Sequence, residues 1–209
     1  DYHIPVMLQP CLEGLALQAD GIYVDVTFGG GGHSRAIFEQ LSPKGKLVVF
    51  DQDPDALNNT WEAPNFHFVP ANFAFLRNHL RALGMPQVDG IIADLGVSSH
   101  QFDTAQRGFS IREDAPLDMR MNRNGGQTAA TLIASADEQK LASILYEYGE
   151  LRNSRALAAA LVRQRDNTPI LSTFDLIKAL ERFAPKFKDH KFYAQVFQAF
   201  RIEVNQEMQ

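Results

Sequence analysis

The 209-residue chain contains one cysteine and one tryptophan, and no apolar run approaches the ~20 residues that a bilayer span requires. Cys11 alone excludes an internal disulfide and a multi-cysteine zinc site, and such scarcity favours a reducing, cytoplasmic setting. No two of the six histidines form an H-x-x-x-H pair and G-x-S-x-G is absent, so neither a protein-bound metal nor a Ser-His-Asp hydrolase is expected. Residues 1–10 show no basic segment followed by an apolar one, the pattern of a secretory signal. There is no internal repeat and no low-complexity tract. The remaining composition is that of a soluble globular protein without a membrane partner, 45% hydrophobic and 22% charged.

The net charge of −5 is unevenly spread. Residues 107–191 carry 14 Lys and Arg against 11 Asp and Glu, whereas the rest of the chain carries 6 against 14. A basic segment in an acidic protein suits a polyanion, because Lys and Arg displace counterions from phosphates; a solvated helical face explains it equally well.

Up to about residue 96, short β-rich runs alternate with helical periods, as in βα units around a parallel sheet. Strands are expected at residues 22–26, 46–50, 66–69 and 90–93, with helices at 34–41 and 75–83. Residues 101–126 read as an ordered loop, because Phe102, Phe109, Ile111, Leu117, Met119 and Met121 are too apolar for a linker. Helices follow. One is capped by Ser135 with Glu138 and ends at Gly149, one runs from Ser154 to about Arg165, one spans 172–184, and the last runs through Phe192, Val196, Phe197, Phe200 and Val204. Four parallel strands make an incomplete doubly wound sheet, so the chain reads as a small closed sheet or as a fragment.

The strongest local signal is Asp25-Val26-Thr27-Phe28-Gly29-Gly30-Gly31-Gly32-His33-Ser34, placed directly between a strand and a helix. Glycines there allow a tight turn and let a ligand approach main-chain N–H groups at a helix start. A dinucleotide fingerprint would need glycine at Ser34. Asp25 before the glycines instead suits the cationic amino-acid tail of S-adenosylmethionine, and it would repel a pyrophosphate. Asp51, 22 residues after Gly29, ends the second strand where a carboxylate can accept ribose hydroxyls. Phe73 follows the third strand, where a ring can meet an adenine or simply join the core. Asp94 ends the fourth strand at the crevice of such sheets, and it is the best candidate for chemistry: a carboxylate accepting an N–H can hold an amine that is to be methylated. His33 has no second histidine at ligand spacing, so a role in the loop or at the helix start is expected. On residues alone, an NAD-dependent oxidoreductase and a non-catalytic RNA-binding module stay open beside a methyltransferase.

The chain resembles the bacterial small-subunit ribosomal RNA cytidine N4-methyltransferases, sometimes called MraW-like proteins. The resemblance runs through His3-Ile4-Pro5-Val6, residues 23–34, Asp51-Gln52-Asp53-Pro54, residues 89–99 and Arg107-Gly108-Phe109-Ser110. It continues through Pro116-Leu117-Asp118-Met119-Arg120-Met121, Tyr148-Gly149-Glu150 and residues 197–205. It implies a class I (Rossmann-like) α/β methyltransferase using S-adenosylmethionine on the exocyclic N4 of a cytidine in the decoding region, within the assembled or late-assembling small subunit. By motif, Gly31, Gly32, His33, Asp51, Phe73, Asp94 and Gln101 match the family's cofactor-contacting positions. The family also implies an inserted helical domain. The expected division is therefore a core at 1–111, an insertion at 112–190 and a helix returning to the core at 191–209. Arg107, Arg112, Arg120 and Arg123 are candidate phosphate contacts. Ala115 and Asn122 depart from the glycine and aspartate usual in the family, and no D-P-P-Y motif follows Asp94, an absence that family members share. The family continues well beyond Gln209, so a truncated chain is expected.

Overall fold

The computed structural model describes residue 5, residues 7–96 and residues 105–207, and it divides into two compact units, Asp1–Gly96 and Val97–Gln209. The first unit is built on a wholly parallel sheet of β1 (Ile22–Asp25), β2 (Lys46–Phe50), β3 (Phe66–Val69) and β4 (Gly90–Ile92), in the order β3-β2-β1-β4. Val24 pairs with Val48 on one side and Ile91 on the other. Leu47 to Phe50 are fully buried, as a strand covered on both faces requires. Their alternation divides the core. Leu47 and Val49 join Tyr23, Phe28, Ile37 and Phe66 on one face, while Val48 and Phe50 join Val24, Val69 and Leu80 on the other.

Helices α1 (Leu8–Leu15) and α2 (Gly32–Phe38) cover the first face through Leu12, Leu15 and Ile37, and α3 (Leu76–Ala82) covers the second through Leu80. The sequence reading misses α1, which is two turns long and contains Pro10. A proline in the first turn is tolerated because its missing N–H would have no helical partner there. The four expected strands form, β1 and β4 each one residue shorter than expected. Helix α2 begins two residues earlier than Ser34, because Gly31 takes a left-handed conformation and starts it.

The second unit is helical, with α4 (Ala129–Ser135), α5 (Glu138–Glu147), α6 (Ser154–Asn167), α7 (Thr173–Leu180) and α8 (Asp189–Asn205). Leu141, Ile144, Leu145, Leu157, Leu161, Leu176, Val196, Phe197 and Phe200 share one core. The polar stretch before α4 folds onto that core, as its apolar content demands: Phe109, Leu117 and Met119 are buried, and Ile111 and Met121 pack beside them. Gly108, at φ 71°, lets the chain pass against the backbone of Pro116 and Asp118, where a Cβ would collide.

Three helix boundaries need correction. Ser135 does not cap α5. It is the last residue of α4, which the sequence reading misses, and Asp137 caps α5 by accepting the Lys140 N–H at 2.7 Å. Ser172 lies outside α7 as its cap and forms a reciprocal capping box with Asp175. Helix α8 starts at Asp189, inside the basic stretch, rather than at Phe192. Among the described residues, no helix is long and apolar enough to cross a membrane.

Candidate functional site

Because the strands are parallel, their carboxyl ends share one edge of the sheet. The chain moves outward from β1 to β2 and β3, then returns to the other side of β1 as β4, so strand order reverses between β1 and β4. Ligands of open α/β sheets bind outside the strand ends at such a point. The glycine loop leaves β1 there. Phe28 anchors its base by donating its N–H to the Phe50 carbonyl at 3.0 Å, with its ring among Trp61, Phe66 and Phe68. Gly31 has φ 75°, and a Cβ on it would come within 3.0 Å of the Phe28 ring, so both backbone and space call for glycine. Gly29 is also left-handed, at φ 49°. A Cβ on Gly30 would meet only open space, so the outer side of the loop is bare backbone.

Two carboxylates tie this loop down. Asp25 is 1% exposed; it accepts the Ser34 hydroxyl at 2.6 Å and the Thr27 N–H at 2.9 Å. Burial pushes its carboxyl above the ordinary range, opposed by the hydrogen bonds from Ser34 and Thr27. The reading that sets Asp25 against a cationic tail is therefore corrected: its oxygens face inward and shape the loop from beneath. Asp51, at the tip of β2, is half-buried and accepts the Gly29 N–H and the Asp53 N–H, each at 2.8 Å. Burial raises its carboxyl as well, against those two hydrogen bonds. Each carboxylate oxygen can accept two hydrogen bonds, so Asp51 keeps capacity for the ribose hydroxyls of a nucleoside. That capacity and the open face at Gly30 fit the adenosine and amino-acid ends of S-adenosylmethionine.

Residues that the sequence reading passes over complete the edge. Thr27 donates its hydroxyl to Asp25 at 3.3 Å and accepts the Asp94 N–H at 2.8 Å, stitching the end of β1 to the end of β4. Asn59 donates to the Gly29 carbonyl at 2.9 Å, and its own carbonyl accepts the Arg35 guanidinium at 3.2 Å. Thr27 lies inside the quoted motif and was findable from its place after the strand. Asn59 lies 30 residues from its partner, and no local pattern marks it.

Asp94 stands exposed at the end of β4. His33 is buried in the first turn of α2, and among the described residues no cluster of three His, Cys, Asp or Glu could hold a metal ion. Phe73 begins a short 3-10 turn after β3 and packs half-buried against the second-face core. Gln101, with His3, Ile4, Val6 and Val97-Ser98-Ser99, lies outside the described residues.

In the second unit, the four candidate arginines behave differently. Arg107 is 2% exposed and donates to the carbonyls of Arg120 at 3.2 Å and Met121 at 3.1 Å. Its assignment to phosphate is therefore corrected: it holds the loop from within. Arg120 grips Asp118 in a fork, Nε to Oδ1 at 2.7 Å and Nη2 to Oδ2 at 2.9 Å. Despite the opposing effect of burial, these bonds hold the Asp118 carboxyl below its usual range. Arg112 and Arg123 are exposed. Asn205 of α8 locks the loop, donating to the Met119 carbonyl and accepting the Met121 N–H, both at 2.7 Å. Between loop and helix, Phe109, Ile111, Met119, Phe197 and Gln198 line a cavity of about 250 Å³.

A family model described as the MraW methylase family matches residues 1–209. The chain belongs to the MraW methylase family. A relative from Cytophaga hutchinsonii is 55% identical over 210 residues, covering all of this chain and 70% of the relative. Relatives from Parabacteroides distasonis and Flavobacterium johnsoniae are 53% and 50% identical, over 99% and 100% of this chain and 68% and 69% of their own lengths. All three are named Ribosomal RNA small subunit methyltransferase H. The family match extends over both compact units, so it takes in the strand-end crevice and the helical unit alike.

Proposed function

We propose that this MraW-family chain transfers the methyl group of S-adenosylmethionine to the exocyclic N4 of a cytidine in the decoding region of small-subunit ribosomal RNA. The observation that carries this reading is the joint between Asp51 and Gly29 at the β1–β4 crevice, in a chain matched by the family along its whole length. One carboxylate orders the glycine loop and still presents lone pairs for a ribose. Gly29, Gly31, Gly32 and His33 shape the loop, Phe73 sits beyond β3 for the adenine, and Gln101 is the further cofactor contact the motif suggests.

The bound sulfonium supplies the electrophilic methyl group, so the protein's task is alignment and exclusion of water. Asp94 serves as the catalytic residue. Its exposed carboxylate accepts an N–H of the cytosine amine, aims the nitrogen lone pair, and takes the proton that N4 loses as the new N–C bond forms. Fixing the Asp94 backbone through Thr27 sets where that carboxylate can reach. In the helical unit, Arg107 braces a loop whose Phe109 and Met119 line a cavity together with Gln198 and Arg201, and Arg112 and Arg123 are the exposed cations for phosphates. We assign the sheet unit to cofactor binding and methyl transfer and the helical unit to substrate recognition; the expected breaks at 111/112 and 190/191 do not follow the packing, in which Phe109, Ile111 and α8 share the helical core. The setting is the cytoplasm, with the assembled or late-assembling small subunit as substrate.

Asp94→Asn separates the roles. The variant should lose about 10²- to 10⁴-fold in methyl transfer, the range for a positioned acid or base, while its affinity for S-adenosylmethionine by calorimetry falls far less. Wild-type transfer with unchanged cofactor affinity would remove Asp94 from the chemistry. Offering free RNA and unmodified small subunits side by side tests the substrate: faster transfer to free RNA would exclude the assembled particle.

A further inference from the structure

One side chain of the helical unit serves neither its core nor its backbone. Phe187, between α7 and α8, is 100% exposed, and its backbone is left-handed at φ 67°. Lys188 donates its N–H to the Pro185 carbonyl at 3.1 Å, closing a turn with Phe187 in its third position. A positive φ there favours glycine, so a bulky ring is disfavoured by the turn and receives no burial in return.

The charges around the ring are mainly positive. Lys186 and Lys188 flank it in the chain and Lys191 follows in the first turn of α8, all three exposed, and Arg182 lies over the Phe183 ring at 4.6 Å. Across residues 181–191, four Lys and Arg face two acids, Glu181 and Asp189. An aromatic face set among cations is the arrangement on which unpaired bases stack while the cations meet the flanking phosphates. We propose that Phe187 is a stacking platform for an unpaired base of the RNA substrate, with Lys186, Lys188 and Lys191 meeting the adjacent backbone. This rests on the RNA reading above, and it adds a contact that the strand-end crevice does not include.

The test compares wild type, Phe187→Ala and Phe187→Trp. The probes are a single-stranded small-subunit ribosomal RNA oligonucleotide carrying 2-aminopurine, and unmodified small ribosomal subunits. Phe187→Ala should weaken oligonucleotide binding about tenfold and abolish the stacking-induced fluorescence change, and Phe187→Trp should restore both. Cofactor affinity and melting temperature should not fall. On subunits, KM should rise while kcat stays near wild type. Unchanged RNA affinity and fluorescence in Phe187→Ala would overturn the proposal. A lower melting temperature at unchanged RNA affinity would overturn it in favour of packing on protein, and altered sedimentation without RNA in favour of a second copy. If wild type bound S-adenosylmethionine but no RNA, the functional reading would fail together with this one. If wild type methylated subunits and Phe187→Ala kept its KM, the stacking proposal alone would fail.

Discussion

Replacing Asp51 by alanine strikes the joint on which the crevice depends. Its carboxylate accepts the Gly29 and Asp53 N–H groups at 2.8 Å each and retains acceptor capacity for a ribose. A hydrogen bond to a charged acceptor contributes about 1.5–3 kcal/mol, so loss of the ribose contact alone corresponds to roughly 10- to 150-fold weaker cofactor binding. Freeing Gly29 loosens the loop as well, which places the alanine variant towards the upper end. Asp51→Asn keeps one acceptor oxygen but turns an NH₂ towards the other donor, so it should fall between wild type and alanine. Calorimetric titration of S-adenosylmethionine into the three proteins, with thermal unfolding in parallel, reads both effects. Binding by Asp51→Ala within twofold of wild type would mean that Asp51 neither holds a ribose nor orders the loop for the cofactor.

Gly31→Ala should cost about 1–2 kcal/mol of stability from its left-handed backbone alone, with more from the Phe28 ring, and should weaken cofactor binding; thermal melts without and with cofactor check both. Asp25 gives a pH signature. A carboxyl whose folded pKa is raised contributes stability fully below the unfolded value, near 3.8, and loses it as pH rises through the folded pKa. Asparagine carries no such charge, so the melting temperature of Asp25→Asn relative to wild type should climb from pH 4 upward, and a flat or falling difference would count against a strained buried charge. Arg107→Ala removes the donor to two loop carbonyls and should lower stability by about 2–4 kcal/mol in denaturant titrations. Exposed Arg123→Ala should stay within about 0.5 kcal/mol while flattening the salt dependence of RNA binding.

The parallel sheet was legible because Leu47-Val48-Val49-Phe50 is a continuous apolar run bounded by Gly45 and Asp51, a pattern that burial on both faces produces. Helix α1 was not, since eight residues with a proline give too little periodicity. Ser135 and Asp137 show a different limit: both sit at plausible capping distances from Glu138 or Lys140, and only tertiary placement decides which one starts α5. At the site, strand-end position marked Asp51 and Asp94. It could not reveal that Asp25 turns inward onto Ser34, because facing inward or outward at a strand end depends on neighbours brought in by α2. Arginine identity likewise marked Arg107 and Arg123 equally, whereas burial separates a loop brace from a solvent-facing cation.

Nucleoside mass spectrometry of unmodified small ribosomal subunits, after incubation with the protein and S-adenosylmethionine, decides whether the chain methylates N4 of a cytidine through Asp94. N4-methylcytidine should form in wild-type reactions, with almost none from Asp94→Asn, and its methyl label should trace to the cofactor. Methylation at another base or position, or N4-methylcytidine formed equally well by Asp94→Asn, would contradict the proposed chemistry.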